Sequence, residues 1–522
     1  MVRAILRPRL HVVCVLLFVL AGVTVGGAQV PVTTWHYDNA RTGANPNETI
    51  LTPLNVNSKQ FGKLFTQPVD GLVIGQTLYL PGITIPGAGV HNVMYVATMH
   101  DSVYAFDADS ATGTNATPLW HTSFLIDGAT TVPIALQGCG ATTQWTEVGI
   151  VSTPVINAAT GTLYVVAKTY ENSTFVHRLH ALDVTTGLEK TGSPIVITAS
   201  YQPVPGGPIY TFEPAMQVNR PALLLENGNI YIAIGSNGCR GGKEQGWVVA
   251  YNASTLQPEG AFDDEPGESA AAVWMRGGGL SSDSFGNIYG ATADGPFAVP
   301  PAYDLGQSVF KLSQSGSELQ LTDWFTPFNE AFLDRWDMDM SEPVLVLPNQ
   351  PGKYPHLALA VGKEGTIYLL NRDNMGHFCA TCTTFDTQIV EELTAFSPEP
   401  GAMIYWNNTV YTTGVAAPIA ALALTRGNLA LTPFAQSKKT ANGHSPVLSA
   451  NGKTDGVLWQ LNGTYLTAYD ALSLTLDKIY GSSQAPNGRD LLPALPHFAN
   501  LVVANGKVYV GTNNSVVVFG LL

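Results

Sequence analysis

RPALLLENGNIYIA (220–233), followed by VVAYN (248–252), spells out one unit of this chain: an apolar strand, an Asn-Gly turn, a strand with a central aromatic, a loop, and another apolar strand. A turn dipeptide of that kind between two apolar runs marks a β-hairpin. The aromatic strand recurs as VMYVA at Tyr95, TLYVV at Tyr164, NIYGA at Tyr289 and TIYLL at Tyr368. It continues as TVYTT at Tyr411, VLWQL at Trp459 and KVYVG at Tyr509, making eight copies spaced on average about 59 residues. Most copies have an apolar strand upstream and another downstream, such as VYAFD, LHALD, VFKLS, LTAYD or VVVFG, and a less regular outer strand completes the unit. One four-stranded sheet of this kind cannot bury both faces, but a radial stack of such sheets can. The pattern therefore predicts an all-β fold, a single eight-bladed β-propeller of four-stranded antiparallel blades over residues 29–522. The eighth unit stops after its third strand at Leu522, while FGKLFTQPV (61–69) has strand character and no partner ahead of the first unit. That N-terminal strand is expected to become the outer strand of the last blade and close the ring.

The composition agrees. Of 522 residues, 45% are hydrophobic and only 12% charged, with 52 Gly and 34 Pro, about half the charge usual in soluble domains. Such a chain has ample material for a core, which excludes disorder, and amphipathic helical stretches are nearly absent. The formal charge of −14 becomes −17 once Arg3, Arg7 and Arg9 are removed with the leader. No Lys/Arg cluster offsets that field, which argues against nucleic acid as a partner. Residues 1–28 read as a signal peptide, with a basic head, an apolar run from Val12 to Val25 and small residues at Gly26-Gly27-Ala28. The run is shorter than the ~20 residues a span needs, so the mature chain is expected to lack a membrane span. It would be exported to the periplasm or beyond. Four cysteines then remain, Cys139, Cys239, Cys379 and Cys382, and an even number in an exported protein favours disulfides. CATC at 379–382 lacks the second ligand pair of a zinc site.

A propeller places the loops leading into its inner strands, and the loops after its second strands, on one face around the channel; we call this the top face. Lead-in loops would bring Gln76, Glu147, Gln217, Arg220 and Arg276 there, with Asp337, Asp339, Glu342, His444 and His497. Loops after the aromatic strands would add His100, Asp101, Lys243, Asp294 and Asp373. The same placement makes a Cys139–Cys239 bridge feasible and leaves Cys379–Cys382 as a local clip. WTEVGIVSTP puts Trp145 beside Glu147, which suits either a quinone edge with calcium or an ordinary loop acid. DRWDMDMSEP presents Asp334, Asp337, Asp339 and Glu342 around Trp336, a density of oxygen ligands that suits calcium or merely solvates a loop. Arg220 and Arg276 could clamp an anionic ligand bidentately or pair with those acids. His444 and His497 could share a metal or be structural. Lys363 and Glu364, in GKEGTIYLLNRDNMG, are read as hairpin residues without a catalytic role. RGGGL (276–280) does not open a helix and so does not cradle phosphate.

VYAFDADSATG (103–113), LHALDVTTG (179–187), VVAYNASTL (248–256) and LTAYDALSL (466–474) together resemble the repeat of pyrroloquinoline-quinone-like β-propellers, the quinoprotein alcohol dehydrogenase-like superfamily. In that motif Asp107, Asp183, Asn252 and Asp470 can accept backbone N–H bonds in the turn that follows. The resemblance spans the mature chain and is closest to exported bacterial members that open with a WHYDNARTGANPNE-like segment. It implies a propeller fold and, in the superfamily's dehydrogenases, a quinone with calcium. Those enzymes commonly hold the quinone under a ring formed by adjacent cysteines, and this sequence has no Cys-Cys pair. Their calcium ligands are a Glu, an Asn and an Asp on separate blades, for which no matching set aligns. Thr383 follows CATC where a covalent haem site would need His, so no haem is expected. The reading that follows is an exported module that binds a small-molecule, glycan or protein ligand through its top face. The alternative is a quinone- and calcium-dependent alcohol or sugar dehydrogenase using Trp145, Glu147 and an acid from 337–342.

Overall fold

The computed structural model describes residues 29–137, 145–236, 244–267, 270–299, 304–394, 398–441, 444–473 and 475–522. The signal peptide read at 1–28, Cys139, Cys239 and Lys243 lie outside them. Eight antiparallel sheets form the blades of a β-propeller. Blade 1 runs from the axis outward as Leu78–Ile85, Gly89–Thr98, Ser102–Asp107 and Trp120–Ser123. Blade 8 contains Leu501–Ala504, Lys507–Gly511 and Ser515–Leu521, and its outermost strand is Phe61–Pro68. Phe61 stands opposite Leu521 and Pro68 opposite Ser515, so the N-terminal strand closes the ring as expected. Among the described residues the only α-helices are Ile134–Gln137 and Glu330–Arg335, and no helix is long and apolar enough to cross a membrane.

The cores lie between blades. One cluster joins Val93, Tyr95 and Ala97 of blade 1 to Ile156, Leu163 and Val165 of blade 2; another joins Val457 and Trp459 of blade 7 to Val508 and Val517 of blade 8. Strands covered on both sides leave little room for charge, since a buried charge must be paired. The repeated aromatic and the Asp/Asn turn lock neighbouring blades together. Tyr95 donates its hydroxyl to the Val184 carbonyl (3.1 Å), Tyr164 to Ala253 (2.6 Å) and Tyr411 to Ala471 (3.0 Å). Each acceptor sits directly after the third strand of the next blade, in the turn set by Asp183, Asn252 or Asp470. Asn252, for example, accepts from the backbone N–H groups of Ser254 and Thr255 at 3.0 and 3.1 Å.

Blade 5 departs from the expected order. Its strands are Leu345–Val346, Leu357–Val361, Ile367–Asn371 and Glu391–Leu393, so Tyr368 lies on the third strand and not the second. LALAV (357–361), apolar throughout, is the second strand, and a short inner strand precedes it. The shift turns its loops over. Asp373 follows the third strand and faces the opposite side, where its carboxylate lies 2.9 Å from the ring of His356. Lys363 and Glu364 take the top-face position instead.

A second departure fills the channel. The WHYDNARTGANPNE segment (35–48) and the residues just before it wind along the inner strands of all eight blades. Val32 bridges Tyr79 in blade 1, and Ile156 of blade 2 donates to Thr33. Asn39 donates to Leu225 of blade 3 and accepts from Ser282 of blade 4. Val346, Tyr405 and Leu448 of blades 5, 6 and 7 donate to Ala40, Thr42 and Gly43, and Asn45 donates to Val503 of blade 8. This segment crowds two of the glycines of RGGGL. A Cβ on Gly278 would come within 3.0 Å of the Trp35 ring, and one on Gly279 within 2.7 Å of the Arg41 guanidinium.

Candidate functional site

Six lead-in loops meet on the axis at the top face, contributing Arg220, Arg276, Glu342, Glu399, His444 and the His497–Phe498 pair. Arg276 lies 3.2 Å from Glu342 and 3.8 Å from Glu399, and donates to the Pro400 carbonyl at 3.0 Å. Arg276 and Phe498 adopt φ of 42° and 70°, a region uncommon for residues with a bulky side chain and one that recurs at functional sites. The Phe498 turn lays its ring on the Arg220 guanidinium at 3.6 Å, with Trp274 on the same group at 4.4 Å. His497 stacks on Phe498 with centroids 3.7 Å apart. Cation–π contacts cover the guanidinium but leave its N–H donors unused. Arg220 is 0% exposed, and none of its three nitrogens has a hydrogen-bond partner among the described residues.

A cavity of about 220 Å³ opens beside this stack, lined by Arg276, Glu399, His444, Ser445, His497 and Phe498, with Asn500 at its base. Asn500 accepts from the Trp35 indole at 3.1 Å and donates to the Ile74 carbonyl at 2.8 Å, so the N-terminal segment holds one of the pocket's lining residues. Burial shifts the ionisable groups around it. Glu342, 1% exposed, is pushed up to about 7 by burial, against the pull of Arg276 and Arg220. His444 is pushed down to about 4 by burial, with His497 and Arg276 adding repulsion. His497 is lowered by burial and by the two arginines.

The acids expected to hold calcium divide into two groups. Asp337 and Asp339 meet Asp294, with one ligand oxygen from each within 4.8 Å of the others. Glu342 pairs instead with Arg276. The Lys363 ammonium bridges the trio's acids, bonding Asp337 and lying 2.5 Å from Asp339, and Asp294 is pushed up to about 7 by burial and Asp339. A cation would have to displace that ammonium, so the residues do not fit calcium as they stand. Trp145 does not present a face to a quinone either: it is 7% exposed and packs among Ile74, Met99, Val132 and Val218. Glu147 lies 3.1 Å from the His100 ring and accepts from Thr131 at 2.7 Å. Gln76 binds the N-terminal segment, accepting from His36 and donating to Thr34. The Gln217 carbonyl accepts from Lys168 at 2.6 Å. Cys379 and Cys382 form a disulfide.

Sequence reasoning brought Arg220, Arg276, Glu342, His444 and His497 to this face but missed Trp274, Glu399, Phe498 and Lys363. Phe498 adjoins His497, and Trp274 stands two residues before Arg276. An aromatic beside a lead-in cation was the signal available.

No protein-family model and no curated protein matches the chain. Among solved structures, it is similar to a quinohemoprotein alcohol dehydrogenase from Comamonas testosteroni, with a TM-score of 0.60 and 16% identity over 95% of this chain and 81% of that one. A quinohemoprotein alcohol dehydrogenase from Pseudomonas putida HK5 gives 0.59 and 15% over 94% and 80%. A europium-containing methanol dehydrogenase gives 0.58 and 12% over 94% and 98%. Identities this low speak to the fold alone. The blade count, the ring closure and these neighbours agree: the chain folds as an eight-bladed β-propeller similar to that of the quinoprotein alcohol dehydrogenases.

Proposed function

We propose that this protein is an exported propeller that binds a ligand or protein through its top face, without redox chemistry of its own. One observation carries the reading: the axial site is a small pocket lined by Arg276, Glu399, His444 and His497, in which Asn500 is bonded to Trp35 of the N-terminal segment. Its 220 Å³ lies below the roughly 300 Å³ at which drug-sized ligands are housed. Support for export comes from the signal-like residues 1–28, and mass spectrometry of the secreted chain should find an N-terminus near Gln29.

The second reading, a quinoprotein dehydrogenase, draws on the fold. Titration of the purified protein with pyrroloquinoline quinone, with and without calcium, tests both. Trp fluorescence and dye-linked oxidation of alcohols or sugars are the readouts. We expect no turnover; calcium-dependent quenching accompanied by turnover would overturn the binding-module reading.

A further inference from the structure

We propose that the axial pocket is a site for a small monocarboxylate, held by Arg276 beside the buried charge of Arg220. The inference rests on the binding-module reading and names the chemistry of its ligand.

Four observations lead to it. Arg276 lines the pocket and Arg220 lies behind the Phe498 ring, two guanidinium groups close together in a chain whose formal charge is −14. Their buried counter-charge is a single carboxylate, Glu342, whose two oxygens make no hydrogen bond among the described residues. Glu399, the other acid within reach of Arg276, is 58% exposed along its side chain and 3.8 Å away; solvent screening weakens such a pair. Finally, Arg220 keeps all its N–H donors unpaired behind the Phe498 ring, and a buried charge in that condition is costly until an anion approaches.

The cavity walls favour a carboxylate over a larger anion. Arg276 is a planar fork that matches a carboxylate, and inside the protein it already lies 3.2 Å from the carboxylate of Glu342. His444 is held neutral near pH 7, chiefly by burial, so it offers a hydrogen bond without adding charge. Ser445 is a further wall residue able to donate. The Phe498 ring supplies an apolar side for a short hydrocarbon tail. About 220 Å³ equals roughly seven liquid-water volumes of about 30 Å³, enough for a short-chain or single-ring acid. An incoming carboxylate would take the place of Glu399 at the rim.

The test uses the full mature protein at constant ionic strength, with acetate, benzoate and inorganic phosphate as probes and acetamide as the neutral control. Trp35 bonds the lining residue Asn500 and Trp274 stacks on Arg220, so tryptophan fluorescence and thermal shift are the readouts of occupancy. Saturable responses to acetate and benzoate, and none to acetamide, are expected. Arg276→Gln should weaken benzoate about tenfold, the scale of one charge-assisted bond. Glu399→Gln, at an exposed position that spares the fold, should tighten it by about threefold by removing a weakly paired competitor. The proposal is overturned if carboxylates give no response beyond chloride, if Arg276→Gln binds benzoate like the parent, or if phosphate alone binds. Failure in any of these ways, with no quinone turnover, removes the carboxylate and leaves the binding-module reading in place. Quinone turnover removes that reading whatever the carboxylates do.

Discussion

Arg41 shows how much one buried side chain decides. Its guanidinium donates to Leu280 O at 2.9 Å, Trp35 O at 2.8 Å and Thr34 Oγ1 at 2.7 Å, with a longer bond to Leu223 O at 3.3 Å. It thereby ties the N-terminal segment to blades 3 and 4. Burial lowers it to about 10, so it remains charged at neutral pH. Arg41→Met keeps much of the volume but leaves those acceptors without a donor. Each buried unpaired group costs about 1–3 kcal/mol, so the substitution should destabilise by about 3 kcal/mol or more, read as a lower denaturant midpoint. Gly279→Ala should act in the same direction, because its Cβ would press on the same guanidinium. Nothing in the residue type at Arg41 announced this role. A lone Arg in a polar stretch is commonly exposed, and the left-handed φ of Phe498 is fixed by its neighbours.

At the scale of elements, two N-terminal segments have separable tasks. Phe61–Pro68 covers the outer edge of Ser515–Leu521, and residues 32–48 occupy the channel. A chain beginning at Phe61 should still close the ring but melt at lower temperature. A chain beginning at Val69 also bares the Ser515–Leu521 edge, an invitation to edge-to-edge pairing, and should elute from size-exclusion chromatography as oligomers or aggregate. A monomeric species from the second truncation would contradict the closing role. The closing strand was legible because alternation and strand bookkeeping are local properties: the last unit lacked one strand and the first residues offered one. Blade 5 was not, because its inner strand spans only Leu345–Val346, too short for a periodic signal. That single miscount placed Asp373 on the wrong face and withheld Lys363 from the site.

For the whole molecule, burial of ionisable groups sets the response to pH. Asp263, Asp294 and Glu342 are pushed up to about 7 and Glu265 to about 9, all chiefly by burial. These carboxyls hold protons in the folded state that the unfolded chain has released, so they cost stability as pH rises from about 4 to about 7, and for Glu265 on to about 9. His36 and His444 are held down to about 3 and 4 by burial. The unfolded chain protonates such histidines below about 6.5 while the folded one resists, which costs stability as pH falls. Above 6.5 only the carboxyl effect operates, and below it the two oppose each other. The melting temperature should therefore rise from pH 8.5 to pH 6.5 and level off or fall below that. Calorimetry across pH 4.5 to 8.5 checks this, and a higher melting temperature at pH 8.5 than at 6.5 would contradict it.

The sequence by itself determined the propeller, its blade count, the closing strand and the face on which the lead-in residues gather. Those follow from periodicity and turn chemistry, which act over a few residues and repeat. Only the tertiary structure decided which lead-in residues meet. Arg220, Arg276 and Glu342 arrive from three different blades, and Asp294 replaces Glu342 beside Asp337 and Asp339. It also decided that residues 32–48 fill the channel, since that winding is held by scattered hydrogen bonds to eight separate blades and has no period of its own to read.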